Sequence, residues 1–184
     1  ESVKEKLGFP CFVKPASTGS SVGVGKAKTP EELILALQNA AKFGRKILVE
    51  ENIEGHEVEC SVLGNKEVFA STVGEILPQV EFYDFDAKYK TNTTKLQIPA
   101  ELPKNIIEDI RKYAIKAFKA LDGSGLSRVD FFVKYKDNSI VLNEINTMPG
   151  FTSISMYPKL WQAVGKDYSV LLDELIELGM NRVK

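Results

Sequence analysis

Asn143-Glu-Ile-Asn-Thr-Met-Pro-Gly150 continues the apolar run Ile140-Val-Leu and puts polar side chains into what reads as an otherwise apolar strand over 139–146. Side chains alternate across a strand, so Glu144 and Asn146 point the same way. A charge in such a setting is expensive without a partner. The strand before it, 127–135, carries Arg128, Asp130 and Phe132 on one face. If the two strands form a hairpin around Lys136-Asp137-Asn138 with those faces matched, Asp130, Glu144 and Asn146 converge as oxygen ligands beside Arg128. Matching requires an odd number of turn residues between Tyr135 and Ser139, or a bulge. Hard oxygen ligands suit Mg2+, which keeps several waters and bridges to substrate phosphates. The plainer alternative is a solvated charged face near strand ends.

Further upstream, Lys14-Pro-Ala-Ser-Thr-Gly-Ser-Ser-Val-Gly-Val-Gly25 follows the apolar, β-prone stretch 9–14, which Pro15 stops. The loop can turn backbone N–H groups toward phosphate, with Lys14 as a point charge. It is neither a Walker A loop, because Ser20 stands where the first glycine belongs and Ala27 follows Lys26, nor a dinucleotide fingerprint, because Lys28 takes the place of the third glycine. By itself it is also compatible with a plain turn.

Thr29, Pro30 and Glu32 predict a capped helix with an apolar face of Leu33, Ile34, Leu37 and Ala41, stopped by Gly44. Strands are expected at 46–51, 57–63 and 66–73, the last two a hairpin turning at Gly64-Asn65. Residues 78–102 lack a sustained period and read as a long, functional loop with short strands at its margins. Helical spacing recurs over 104–121, ending at Gly123, and over 168–180 through Val170, Leu171, Leu175, Ile176 and Leu178. Strands and helices are segregated, so the expected class is α+β rather than a doubly wound sheet. No internal repeat is present.

The 184 residues suffice for one mid-sized domain or two lobes with a real core. A net charge of −1 with interspersed signs excludes a broad cationic field for nucleic acid or a membrane surface. Cys11 and Cys60 lie in apolar strands and read as buried free thiols, which suits a cytoplasmic setting. No apolar run is long enough to span a bilayer. The opening, Glu1-Ser-Val-Lys-Glu-Lys6, reads as the end of a charged helix, so the chain is expected to begin inside a larger protein. His56 reads as a surface turn residue.

Phe9-Pro-Cys-Phe-Val-Lys-Pro15, Gly19-Ser-Ser-Val-Gly23, Ile47-Leu-Val-Glu-Glu51, Tyr83-Asp-Phe-Asp-Ala-Lys-Tyr89, Ser127-Arg-Val-Asp130 and Asn143-Glu-Ile-Asn-Thr-Met-Pro-Gly-Phe-Thr-Ser153 resemble, in order and spacing, the D-alanine:D-alanine ligases. The resemblance implies an ATP-grasp fold, in which two α+β lobes hold ATP, here as part of the central lobe (1–57) and a C-terminal lobe (58–184). It implies that Lys14 and Lys88 contact phosphate, with Ser21 in the phosphate loop. Glu50 and Ile53 would meet adenine, Glu57 the ribose, and Phe82 and Tyr83 the faces of the base, although these two could equally be core aromatics. Asp130, Glu144 and Asn146 match a site for two Mg2+ or Mn2+ ions, and Arg128 the cation beside the intermediate. Gly150, Ser155 and Met156 match the pocket for the second D-alanine, and Ser20 and Tyr89 a contact made when a loop closes. Glu51 replaces a frequent lysine, and Ser17 and Thr18 replace charged residues of the phosphate loop.

The implied reaction joins two D-alanines through an acylphosphate at the expense of ATP, in the cytoplasm, for peptidoglycan precursors. Its partners are the small molecules D-alanine and ATP, with no nucleic acid or membrane, and with room for a homodimer in the full-length enzyme. The alternatives are a D-serine or D-lactate ligase of the same family and a nucleotide-binding fragment without ligase activity of its own.

Overall fold

The computed structural model describes residues 2–77 and 95–182. Its elements in chain order are α1 (Ser2–Lys6), β1 (Cys11–Pro15), β2 (Gly25–Ala27), α2 (Pro30–Ala40), β3 (Ile47–Glu51), β4 (Gly55–Gly64), β5 (Val68–Leu77), β6 (Lys95–Gln97), α3 (Lys104–Ala120), β7 (Gly125–Lys134), β8 (Ile140–Asn146), α4 (Met156–Gln162) and α5 (Tyr168–Met180). Contacts divide the described residues into two units, 2–54 on one side and 55–77 with 95–182 on the other. Glu57 thus belongs with the second unit. All strand pairs are antiparallel and helices accompany both sheets, which makes the chain α+β.

In the first unit the sheet order is β2-β1-β3. Cys11 and Val13 are fully buried on one face of β1, while Phe12 and Lys14 alternate onto the other. β2, which the sequence did not suggest, is a three-residue edge. α2 starts as its sequence predicts: Thr29 is extended and its hydroxyl accepts from the Glu32 N–H at 3.3 Å, with Pro30 in the first turn. The Glu32 carboxylate reaches back to the Lys28 N–H at 2.6 Å. The helix ends at Ala40, before Gly44, in a run of turns. Its buried face is rotated from the expected one, since Ile34 is 57% exposed and Ala40 is the buried residue. Close packing explains the rotation: a Cβ on Gly25 would stand 3.3 Å from Ala36 Cβ, so Ala36 is turned toward β2 and Ile34 away from it.

In the second unit the order is β6-β5-β4-β7-β8. The β4–β5 hairpin has a longer loop than expected, because Gly64 pairs with Val68 and residues 65–67 make the turn. Gly64 is at φ 133°, and a Cβ there would lie 2.0 Å from the Glu67 carbonyl oxygen, so no other residue fits. Asn65 is a tie point: its Oδ1 accepts from Ser124 Oγ (2.7 Å) and the Gly125 N–H (3.0 Å), and its Nδ2 donates to the Leu178 carbonyl (2.9 Å).

One face of this sheet is covered by α3. Ile110, Ala114 and Phe118 pack on Val58, Cys60, Val62, Val129, Phe131 and Val133, all essentially without exposure. At about 1.5–3 kcal/mol for each large apolar side chain removed from water, this core is the main source of the unit's stability. The opposite face is divided. Leu63, Tyr157, Trp161 and Leu171 fill one end under α4 and α5, and Ser61 Oγ donates to the Tyr157 carbonyl while the Tyr157 hydroxyl donates to the Val62 carbonyl. The polar residues occupy the rest of that face. α5 has the predicted span, but of its expected apolar residues Val170 and Ile176 are more than half exposed.

Candidate active site

The hairpin of β7 and β8 brings the predicted polar residues together, and a bulge sets their register. Val133, Phe132 and Phe131 pair with Ile140, Val141 and Leu142, whereas Asp130 pairs with Glu144 and Arg128 with Asn146. Asn143 is the extra residue. Without it, strict alternation would put Leu142, Glu144 and Asn146 on one face; with it, Leu142 lies opposite Phe131 on the α3 side while Glu144 and Asn146 turn to the polar face.

β4 adds a residue that sequence reasoning missed. Glu59 pairs with Asp130, so Glu59, Asp130 and Glu144 form a row of three carboxylates across β4, β7 and β8. Like charges directly opposite one another are destabilising, and Glu59 and Asp130 are almost wholly buried, at 6% and 8% side-chain exposure. The row therefore needs cations. Arg128 is one: its Nε and Nη2 donate to Asp130 Oδ1 and Oδ2, both at 2.7 Å, and Nε stands 3.0 Å from Glu59 Oε2. Burial disfavours the guanidinium charge, but the Asp130 hydrogen bonds and the charges of Asp130, Glu59 and Glu144 more than offset this and hold its pKa above the ordinary arginine value. Asn146 Nδ2 donates to Asp130 Oδ2 (3.0 Å) and Glu144 Oε1 (3.2 Å). Turning that amide over would present an oxygen to the same place.

One guanidinium does not balance three carboxylates. Among the described residues no group of three His, Cys, Asp or Glu side chains is gathered so as to hold a metal by itself. Two carboxylates and an amide oxygen nevertheless fit an ion of the Mg2+ kind, which takes few protein ligands and completes its shell with water and phosphate. Glu57, next along the same face, pairs with Phe132.

The segment after β8 folds back on itself. Thr152 N–H and Oγ1 both meet Ser155 Oγ, at 3.0 and 2.9 Å, and a Cβ on Gly150 would stand 2.9 Å from that same oxygen. Ser155 stands at the N-cap position of α4 without a side-chain capping bond, and α4 is a seven-residue helix too short to leave a period in the sequence. Met156 is buried, its sulfur beside Gly74 of β5.

In the first unit Lys14 Nζ pairs with Glu50 Oε1 at 2.8 Å across β1 and β3. Ser20 and Ser21 both adopt left-handed backbone, at φ 52° and 61°, between the bonds Val22 N–H to Gly19 O and Val24 N–H to Ser21 O. Non-glycine residues hold such conformations at a cost, and they gather at ligand loops. Ile53 follows β3 in irregular structure. His56 departs from its expected place in a surface turn. It lies in β4, on the α3 side of the sheet, with Nδ1 2.5 Å from Glu75 Oε1 and its ring edge-on to Tyr135. Phe82, Tyr83, Lys88 and Tyr89 lie outside the described residues.

The chain has the ATP-grasp fold, with the left-handed Ser20–Ser21 loop in one unit and the carboxylate row in the other. Residues 1–177 match the family described as D-ala D-ala ligase C-terminus, and the chain belongs to that family. It is 58% identical over 182 residues to a D-alanine–D-alanine ligase of Acetivibrio thermocellus, covering 99% of this chain and 48% of the relative, and 57% identical to that of Halothermothrix orenii, covering 95% and 50%. Among solved structures, the VanG D-Ala:D-Ser ligase of Enterococcus faecalis superposes with a TM-score of 0.87 at 39% identity over 96% of this chain and 51% of that one. The D-alanine–D-alanine ligase of Bacillus anthracis complexed with ATP does so with 0.80 at 35% identity, over 98% and 57%. The chain spans about half the length of the curated relatives it matches.

Proposed function

We propose that the protein to which this chain belongs joins two D-alanines, using ATP, to form D-alanyl-D-alanine for peptidoglycan precursors in the cytoplasm. The observation that carries the reading is the carboxylate row Glu59, Asp130 and Glu144, its first two members buried, with Arg128 and Asn146, in a chain 58% identical to a D-alanine–D-alanine ligase. The carboxylate of the first D-alanine attacks the γ-phosphorus of ATP, and ADP leaves. The amine of the second D-alanine then attacks the acyl carbon, sheds a proton, and phosphate departs with the original carboxylate oxygen. No side-chain nucleophile is needed, so catalysis is positioning and charge stabilisation.

In this reading Lys14, Lys88 and the loop of Ser20 and Ser21 hold phosphate, Glu50, Ile53, Phe82 and Tyr83 serve adenine, and Glu57 accepts from the ribose. Asp130, Glu144 and Asn146 hold two Mg2+ or Mn2+ ions, which supply positive charge to the phosphate oxygens when bound. Arg128 faces the charge that develops on the transferred group. Gly150, Ser155 and Met156 receive the second D-alanine. The full-length enzyme is proposed as a homodimer.

The likeness to a D-Ala:D-Ser ligase supports a second reading, in which the second substrate is D-serine. Full-length protein given ATP, Mg2+ and equimolar D-alanine, D-serine and D-lactate separates the two by mass spectrometry of the products. D-Alanyl-D-alanine is expected to dominate near neutral pH, and Tyr89→Phe to raise the D-lactate share. Predominance of the D-serine product would establish the second reading, and ATP turnover without any ligated product would remove both.

A further inference from the structure

We propose that Glu59 is a positioning residue that takes over part of the Arg128 guanidinium when Asp130 turns to a metal ion. The inference rests on the reading of Asp130, Glu144 and Asn146 as metal-holding residues. Both Asp130 oxygens are committed, Oδ1 to Arg128 Nε and Oδ2 to Arg128 Nη2 and Asn146 Nδ2. For Asp130 to present an oxygen to a cation, at least one guanidinium bond must open. A guanidinium this deeply placed, at 21% side-chain exposure, cannot simply swing into water, and stranding its N–H groups would carry a desolvation cost.

Glu59 solves that problem from the neighbouring strand. Its Oε2 is 3.0 Å from Nε, but the Nε hydrogen is directed at Asp130, so the present contact is ionic. A small rotation of the planar group exchanges the Asp130 bond for a Glu59 bond, with the charge compensated throughout. The register supports this role, since Glu59 lies directly opposite Asp130 and both carboxylates face the one cation. In this proposal Glu59 acts through Arg128.

The test uses the full-length protein saturated with ADP, with bound Mn2+ counted by electron paramagnetic resonance. Glu59→Gln, nearly isosteric but uncharged, leaves Asp130 as the main counter-charge of Arg128 and is expected to weaken Mn2+ binding about ten-fold, the range seen when groups behind metal ligands are altered. In an Arg128→Gln background the same substitution is expected to have little effect. Glu59→Asp, which keeps the charge on a shorter arm, is expected to weaken Mn2+ binding by less than Glu59→Gln, and if Glu59→Gln fails to fold, that smaller loss, measured with and without Arg128→Gln, carries the comparison. An equal loss in both backgrounds would mean that Glu59 acts through space as one more negative charge, and it overturns the proposal, as does unchanged affinity in Glu59→Gln. Asp130→Asn separates the two readings: if it binds Mn2+ like the parent, the metal assignment itself is wrong and this inference goes with it, whereas loss in Asp130→Asn without loss in Glu59→Gln overturns only the role of Glu59.

Discussion

Arg128 and Asp130 meet as a fork on a carboxylate, with two N–H groups on two oxygens. A lysine keeps the charge and loses the fork. Arg128→Lys in the full-length protein is therefore expected to lower kcat by roughly 100-fold, comparable to removing one preorganised donor from a transition state, while the KM for ATP changes much less. Steady-state kinetics check this, and a kcat near the parent's would show that only the charge matters. Cys60 makes a different prediction. It is fully buried, and burial pushes its thiol from the ordinary 9.0 up to about 12. The protonated thiol is favoured by folding, so this contribution is intact below pH 9 and is lost as pH rises from there toward 12, at about 1.4 kcal/mol per pH unit. Thermal melts of the parent should fall more steeply above pH 9 than those of Cys60→Ala. Parallel curves would contradict the assignment. The motif residues of this site were legible because charges inside apolar strands demand partners. Glu59 belongs to the same pattern, with Glu57, Glu59 and Ser61 alternating on one face, but without the neighbouring strands its register opposite Asp130 could not be read.

Gly74 of β5 is where α4 rests on the sheet. A Cβ there would stand 2.8 Å from Leu160 Cδ2 and 2.9 Å from Met156 Sδ, and both side chains are buried with little room to retreat. Gly74→Ala is expected to cost about 1–3 kcal/mol by overpacking, and to shift α4, which carries Met156 and follows Ser155. Chemical denaturation reads the stability, and the KM for the second D-alanine is expected to rise more than that for ATP; equal rises would count against the pocket assignment. Helices α3 and α5 were readable because 17 and 13 residues sustain a period. α4 has seven residues and did not show one. The hairpin of β7 and β8 was predicted from turn signals, but the bulge at Asn143 depends on which flanking residues the α3 core accepts, and Leu142 goes to that side. The buried face of α2 failed for the same reason, since the close approach of Ala36 to Gly25 is a tertiary fact.

The two units carry different parts of the proposed site, Lys14 with the Ser20–Ser21 loop in one and the carboxylate row in the other, yet the chain covers 48% of its Acetivibrio relative. Positioning of two substrates is worth ~7 kcal/mol or more of barrier lowering, so the 184-residue chain alone is expected to make dipeptide at least about 100-fold more slowly than the full-length protein. Mass spectrometry of the dipeptide formed at equal enzyme concentration checks this, and comparable rates would mean that the chain holds the whole active site. Sequence patterns pointed to the α+β class, to the cluster of Arg128, Asp130, Glu144 and Asn146 and to the Lys14 loop, while the other site residues and the substrates came from resemblance, because a pocket's selectivity lies in distances that no periodicity encodes. The acylphosphate route makes a sharper demand than product identity. D-Alanine labelled with 18O in its carboxylate, turned over by the full-length protein with unlabelled ATP and Mg2+, should yield inorganic phosphate carrying one 18O per dipeptide formed. Unlabelled phosphate, or label appearing in AMP, would contradict attack by the substrate carboxylate on the γ-phosphorus.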